Sequence, residues 1–129
     1  MAHILVLDDE PKACNLIKKV LEKGNEVYTF TEEDDAINHA MSSKVDLAIL
    51  DIKLKKMSGV EVLAELKKYN PEIRAIMLTG YPTTETAKEA ITLGATEYLV
   101  KPIDIDELEN TAKRTLAARK PSKETISIT

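Results

Sequence analysis

The sequence contains little cysteine, no long hydrophobic run and no excess of basic residues. Cys14 is the single cysteine among 129 residues, so neither an internal disulfide nor a thiol-rich metal cluster can form. No stretch approaches the roughly 18 apolar residues of a membrane span, and the first residues do not resemble a signal peptide. A net charge of −4 argues against a nucleic-acid-binding module, which normally carries a basic excess. We therefore expect a cytoplasmic protein with no membrane contact and no direct nucleic-acid contact.

The composition is typical of one globular domain. Hydrophobic residues form 43% of the chain and charged residues 31%, a balance that excludes disorder, collagen and low-complexity repeats. A chain of 129 residues leaves little room for a second domain. Residues 119–129 are polar, contain a proline and show no hydrophobic period. We expect one domain over residues 1–118, followed by a polar tail or the start of a linker over 119–129.

Short apolar segments alternate along the chain with segments of helical period. Apolar or β-branched residues run together in five places, which predicts strands near residues 4–7, 27–30, 47–50, 75–78 and 97–100. Apolar residues at spacings of three and four predict five helices, of which the one over 83–93 has the thinnest apolar stripe. Thr31 with Asp34, and Ser58 with Glu61, resemble capping boxes. The predicted inner faces of the helices include Met41, Tyr69 and Ile105.

Five strands alternating with five helices predict an α/β fold with an open, mostly parallel sheet and helices on both faces. Right-handed crossovers bring the carboxyl ends of such strands to one edge of the sheet. Ligands bind at that edge. The residues that follow the strands are therefore the candidates for function.

Polar residues follow four of the predicted strands: Asp8 and Asp9, then Asp51, Thr79 and Lys101. Each alone has an ordinary explanation as a helix cap, a turn residue or a surface lysine. Together they place three carboxylates at one edge, where like charges repel unless a cation joins them. Oxygen ligands suit a hard ion such as Mg²⁺, and a hydroxyl and an ammonium beside it suit a phosphoryl group. One carboxylate could then act as a nucleophile, and Asp51 is the candidate because it stands singly.

An ordered set of motifs over about residues 2–118 resembles the receiver domain of two-component response regulators. The set comprises residues 4–10 (Ile-Leu-Val-Leu-Asp-Asp-Glu), Asp51 after an apolar strand, Met57-Ser58-Gly59, Leu78-Thr79-Gly80 and residues 98–102 (Tyr-Leu-Val-Lys-Pro). Each motif alone is unspecific, whereas the ordered set is highly specific. The resemblance implies a flavodoxin-like, doubly wound (βα)5 fold, with a five-stranded parallel sheet of order 2-1-3-4-5.

The resemblance also implies roles for the acidic residues. Asp51 matches the phospho-acceptor, which in the family also belongs to the metal site. Asp9 matches a direct ligand of Mg²⁺, and Asp8 matches its neighbour, which acts mostly through water. The backbone carbonyl of Lys53 matches the third protein ligand.

Other residues match the groups that contact the phosphoryl group and respond to it. Thr79, with Gly80, matches the hydroxyl position that bonds one phosphoryl oxygen, and Lys101 matches the lysine that pairs with another. Tyr98 matches the aromatic switch residue, whose ring turns inward as Thr79 moves. The bond before Pro102 is usually cis in the family, and this proline is expected to have a structural role.

The loop after Asp51 departs from the family pattern. The family often has Met-Pro where this chain has Leu54-Lys55, followed by Lys56. A missing proline could loosen the loop. With Lys53, these residues make the loop basic, which indicates either a solvated surface or a contact for an acidic partner.

The implied partners are a sensor histidine kinase or phosphotransfer protein as donor, and an effector protein or a lost C-terminal output domain as receiver of the signal. The implied output surface runs from the helix over 83–93 through the fifth strand to the fifth helix, and a homodimer could form through it. Such a protein is no enzyme beyond its own phosphorylation and dephosphorylation. Two alternatives remain at this point: a haloacid-dehalogenase-type phosphatase with an aspartyl-phosphate intermediate, and a phosphate-blind interaction module.

Overall fold

The computed structural model describes residues 1–80 and 97–118, together with Lys88, Thr92 and Ala95. Its elements are β1 (Ala2–Leu7), α1 (Pro11–Leu21), β2 (Asn25–Phe30), α2 (Glu33–Ser42), β3 (Leu47–Asp51), α3 (Gly59–Tyr69), β4 (Arg74–Thr79), β5 (Glu97–Val100) and α4 (Ile105–Ala117). The helix predicted over 83–93 lies outside the described residues, except that Lys88 and Thr92 are helical.

The strands form one parallel sheet in the order β2-β1-β3-β4-β5. Its three central strands are apolar almost throughout because both faces of the sheet are covered, as is usual for parallel sheets. Alternate residues of each strand point to opposite faces, so Leu5 and Leu7 face α2 and α3 whereas Ile4 and Val6 face α1 and α4. The predicted α/β fold and strand order are confirmed.

One of the two predicted capping boxes is present, and a third helix has a capping aspartate. Ser58 and Glu61 form a complete capping box, in which each residue's side chain accepts a hydrogen bond from the other's amide at 3.1 Å. The Asp104 carboxylate caps α4 by accepting from the amide of Glu107 at 3.0 Å. The capping box predicted at Thr31 is wrong. Helix α2 begins at Glu33, so its N-cap position falls on Glu32 rather than Thr31, and no side chain caps it.

Three side chains predicted to face the core are exposed instead. Met41 is 54% exposed, Tyr69 43% and Ile105 48%. Each lies in the first or last turn of its helix. In the part of the chain that the structure describes, no helix combines the length and the apolar character needed to span a membrane.

Candidate functional site

Strand register brings the predicted site residues together at one edge of the sheet. Leu7 pairs with Leu50, so the next residues, Asp8 and Asp51, are neighbours. Further along the sheet, Asp51 is in register with Leu78, and Thr79 with Val100. Backbone bonds continue the ladder past the strand ends, including one from the amide of Lys101 to the Thr79 carbonyl at 2.7 Å. The predicted convergence of the strand ends is therefore present in the fold.

Three carboxylates meet at this edge. Oxygen atoms of Asp8, Asp9 and Asp51 all lie within 4.8 Å of one another, and we call these residues the acidic cluster. Asp8 is fully buried, Asp51 is 6% exposed and Asp9 is half-buried. Carboxylates are seldom buried unless they are paired, so this arrangement requires a compensating charge.

Lys101 supplies positive charge to the cluster. Its Nζ lies 2.7 Å from Oδ2 of Asp8 and 3.1 Å from Oδ2 of Asp51. The peptide bond between Lys101 and Pro102 is cis, the geometry that the resemblance implies for this bond. A single ammonium thus bridges two carboxylates that follow β1 and β3, while Lys101 itself follows β5.

The same contacts change the proton affinities of the site. Burial is the largest influence on the Asp51 carboxyl, and it raises the pKa, with a further rise from the charge of Asp8, while Lys101 offsets part of this effect. For Lys101, burial lowers the pKa, but its hydrogen bonds and attraction to Asp8 and Asp51 outweigh burial and raise it. The site therefore keeps Lys101 charged, whereas Lys101 offsets only part of the cost of burying the Asp51 charge.

Backbone contacts fix the turns that carry the acids. Oδ1 of Asp8 accepts from the amide of Glu10 at 2.9 Å, and Oδ1 of Asp51 accepts from the amide of Lys53 at 3.1 Å. Below the first turn, the buried Cys14 thiol donates to the Asp8 carbonyl at 3.3 Å. Burial raises the pKa of this thiol, the nearby Asp8 charge adds to the rise, and the thiol is therefore an inert packing group.

The remaining predicted residues lie around the cluster. Thr79 is 3% exposed at the end of β4, and Gly80 after it is exposed. Tyr98 is half-buried against the apolar layer under α2 and α3. Of the basic loop residues, Lys56 has an exposed ion pair with Asp34 at 3.3 Å.

The sequence did not predict the contacts that two residues near the site make. Gly59 packs against the backbone of Asp51, so closely that a Cβ on Gly59 would lie 2.2 Å from the Asp51 carbonyl oxygen. Glu33 is buried beneath the loop that follows Asp51. The Met-Ser-Gly motif pointed toward Gly59, but Glu33 stands within the acidic run 32–35, which is typical of a solvated helix start.

The chain belongs to the response regulator receiver domain family, whose profile matches residues 4–113. Transcriptional regulatory protein ZraR of Klebsiella oxytoca is 34% identical over 127 residues, which cover 98% of this chain and 29% of that protein. Sporulation initiation phosphotransferase F of Bacillus subtilis (strain 168) is 32% identical over 114 residues, which cover 88% of this chain and 92% of that protein.

Solved structures agree with this assignment. A CheY-like response regulator receiver domain protein from Methanospirillum hungatei JF-1 has a TM-score of 0.85 and 31% identity, and the match covers 90% of this chain and 94% of that one. The matches support a receiver domain of a two-component response regulator and do not support the phosphatase alternative. The chain spans only 26% to 29% of the length of the transcriptional regulators that it matches.

Proposed function

We propose that this receiver accepts a phosphoryl group on Asp51, with Mg²⁺ held at the acidic cluster, and that the modification changes the surface around β5. The observation that carries the proposal is the position of Lys101, whose ammonium reaches both Asp8 and Asp51 within hydrogen-bond distance. A cation beside a carboxylate nucleophile neutralises the charge that an incoming phosphoryl group brings.

The donor set of the cluster fits Mg²⁺. Three carboxylates within 4.8 Å of one another offer oxygen ligands, which Mg²⁺ prefers. Asp8, Asp9, Asp51 and the backbone carbonyl of Lys53 would hold the ion, which supplies charge neutralisation for the phosphoryl oxygens when bound. A receiver family that uses an acidic pocket of this kind makes Mg²⁺ the natural candidate over softer metals.

In the proposed reaction, an Asp51 carboxylate oxygen attacks the phosphorus of a phosphohistidine or a small acyl phosphate. A bond forms between that oxygen and phosphorus while the bond from phosphorus to the leaving nitrogen or oxygen breaks, and the leaving group takes the electron pair. Lys101 then moves its hydrogen bonds from the carboxylates to a phosphoryl oxygen. Water later attacks the phosphorus, the bond from phosphorus to the Asp51 oxygen breaks, and inorganic phosphate leaves as the carboxylate is restored, so the chain would catalyse only its own phosphorylation and dephosphorylation.

The proposed response begins at Thr79 and passes to Tyr98. Thr79 carries a hydroxyl at the strand end beside the cluster, and with the backbone at Gly80 it can donate to a phosphoryl oxygen. Met77 pairs with Tyr98 two residues before Thr79, so a shift of the β4 end acts directly on β5. Val100 and Ile105 expose apolar side chains on this side, 44% and 48% respectively, which supports an output or homodimer surface here.

The proposed donor of the phosphoryl group is a sensor histidine kinase or a phosphotransfer protein. The proposed downstream partner is an effector protein or an output domain. The cytoplasmic location expected from the sequence stays a prediction, as does the domain boundary at residue 118.

Incubation with acetyl phosphate and Mg²⁺, followed by intact mass measurement, tests the proposal. We expect a gain of one phosphoryl group that EDTA blocks and that Asp51→Asn abolishes. Asp106→Asn, which changes an exposed acid on α4, serves as the control and should be modified like the native chain. Modification that persists in Asp51→Asn would move the acceptor elsewhere. A phosphomonoester turnover assay should show no sustained hydrolysis, and rapid turnover would revive the phosphatase alternative.

A further inference from the structure

Glu33 is a buried carboxylate that the proposed chemistry does not use. It is the first residue of α2 and only 1% exposed, although glutamate is among the residues least often buried. Its Oε2 accepts hydrogen bonds from the amide of Lys56 and, at 3.1 Å, from the amide of Met57. Its Oε1 is buried and has no hydrogen-bond partner among the residues that the structure describes. The side chain is therefore tied to the rest of the fold through two loop amides.

These two amides belong to the loop of residues 52–58, which joins Asp51 to α3. One end of the loop is held by the bond from the Lys53 amide to Asp51 Oδ1, and the other by the Gly59 amide, which donates to the Ile52 carbonyl at 2.8 Å. Lys56 and Met57 lie between these anchors and are held by Glu33 instead. The loop lacks the proline often found in the family, so its own backbone is less restricted.

The electrostatics show that Glu33 is held as an anion. Burial raises the pKa of its carboxyl, but the amides of Lys56, of Glu33 itself and of Met57 outweigh burial and bring the pKa below its ordinary value. An ionised acceptor forms stronger hydrogen bonds than a neutral one, and the amino end of α2 favours negative charge. The Lys56 side chain, which pairs with Asp34 at the surface, adds a weaker attraction that lowers the Glu33 pKa further.

We propose that Glu33 is a positioning residue, which holds the loop of residues 52–58 so that Lys53 stays aligned with the acidic cluster and the cluster keeps its affinity for Mg²⁺. This inference rests on the proposed function, because it assigns Lys53 a place in the metal site. Glu33 itself touches neither metal nor phosphoryl group. It acts through the backbone of Lys56 and Met57, as residues behind metal ligands commonly do.

Variants at Glu33 distinguish the proposed positioning role from the alternative that Glu33 only stabilises the fold. Glu33→Ala removes the acceptor, whereas Glu33→Gln keeps a neutral acceptor of the same length and covers the case in which the alanine variant fails to fold. The matched control is Asn70→Ala. Asn70 is likewise a side chain tied to backbone, at the other end of the sheet, where Oδ1 accepts from the Val45 amide and Nδ2 donates to the Ala40 carbonyl.

The first measurement is the affinity for Mg²⁺. The folded protein is titrated with Mg²⁺, and the amide chemical shifts report the binding. We expect Glu33→Ala to weaken affinity about tenfold or more, the usual effect of losing a group behind a ligand, and Glu33→Gln to fall in between. Asn70→Ala should bind Mg²⁺ like the native chain. Amide exchange at Lys56 and Met57 should accelerate in the Glu33 variants without metal.

The second measurement is the rate of acetyl-phosphate modification against Mg²⁺ concentration. The half-saturating Mg²⁺ concentration should rise in Glu33→Ala while the rate at saturating Mg²⁺ stays close to native, a separation that general destabilisation would not produce. Native-like Mg²⁺ affinity in both Glu33 variants, or equal weakening in Asn70→Ala, would overturn the positioning role and leave the proposed function intact. A native chain that neither binds Mg²⁺ nor gains a phosphoryl group would overturn both.

Discussion

Gly59 packs directly against Asp51: a Cβ at position 59 would lie 2.2 Å from the Asp51 carbonyl oxygen and 2.9 Å from the carbonyl carbon. The start of α3 thus presses on the backbone of the residue that carries the central carboxylate. Real Cβ atoms do not approach a backbone oxygen so closely, so any side chain at position 59 must displace either α3 or the end of β3.

We predict that Gly59→Ala destabilises the fold by about 1–3 kcal/mol, the usual cost of forcing extra atoms into a packed interior. Urea unfolding measures the loss. Gly80→Ala is the control, because a Cβ there meets nothing within 4 Å, and it should change stability by less than about 0.5 kcal/mol. Equal stability of the two variants would show that α3 moves aside without cost.

Removing the Asp51 charge should stabilise the protein when no metal is present. Asp51→Asn removes a buried negative charge and its repulsion with Asp8. Lys101 keeps its ion pair with Asp8 at 2.7 Å. We expect a gain on the order of 1 kcal/mol in EDTA at neutral pH, within the usual range for one substitution. Adding Mg²⁺ should reverse the order, because the native chain gains binding energy that the variant lacks.

The Asp51 carboxyl also predicts how the stability of the fold changes with pH. Because the pKa of Asp51 is raised in the folded state, mainly by burial, the folded chain binds more protons than the unfolded chain above the ordinary aspartate pKa. Its contribution to stability therefore falls as pH rises from about 4 toward the raised pKa. The gain from Asp51→Asn should vanish at acidic pH and grow with pH, and a gain that shrinks as pH rises would contradict this account.

His39 should make the fold sensitive to mild acid. Its ring packs between Tyr28 and Phe30, with centroids 4.5 and 5.3 Å away, and its Nε2 is buried without a partner among the described residues. Burial, followed by the charge of His3, lowers the pKa of His39 below its usual value. In mild acid, His39 binds a proton in the unfolded chain but not in the folded chain. Stability therefore falls as the pH drops below about 6.5.

Unfolding free energies of His39→Gln between pH 5 and 7.5 check this prediction. The variant should show a shallower dependence on pH than the native chain, although it loses packing at every pH. His3→Gln separates the two causes, since it removes the neighbouring charge but leaves His39 buried, and it should flatten the pH dependence less than His39→Gln does. An unchanged slope in His39→Gln would exclude His39 as the source of acid sensitivity.

Arg74 should hold the end of α4 in place. From the start of β4, its guanidinium donates to the Leu116 carbonyl at 3.5 Å and to the Ala118 carbonyl, which the helix itself leaves unpaired. Arg74→Met should cost about 1 kcal/mol and accelerate amide exchange in the last turn of α4. Arg114→Met, which breaks an exposed pair with Glu97 at 3.3 Å, should cost less.

The sequence predicted those features that depend on repeated patterns. Apolar runs ending in acids marked β1 and β3, and parallel topology then brought Asp8 and Asp51 together without any knowledge of contacts. Glu33 could not be predicted in this way, because a side chain that binds the backbone of a distant loop leaves no periodic trace in the chain. Met41 and Ile105 have the helical spacing of core residues, but spacing does not reveal that the terminal turns of their helices are left uncovered.

The contact between Arg74 and Ala118 fixes where the described chain ends relative to the acidic cluster. Arg74 opens β4 and Thr79 closes it, so the two ends of that strand lie about 17 Å apart. Ala118, at the end of α4, therefore lies at the far end of the sheet from Asp51. A change at Asp51 would reach this end of α4 through the length of β4 or α4, so the stiffness of these two elements sets how much of the change arrives there.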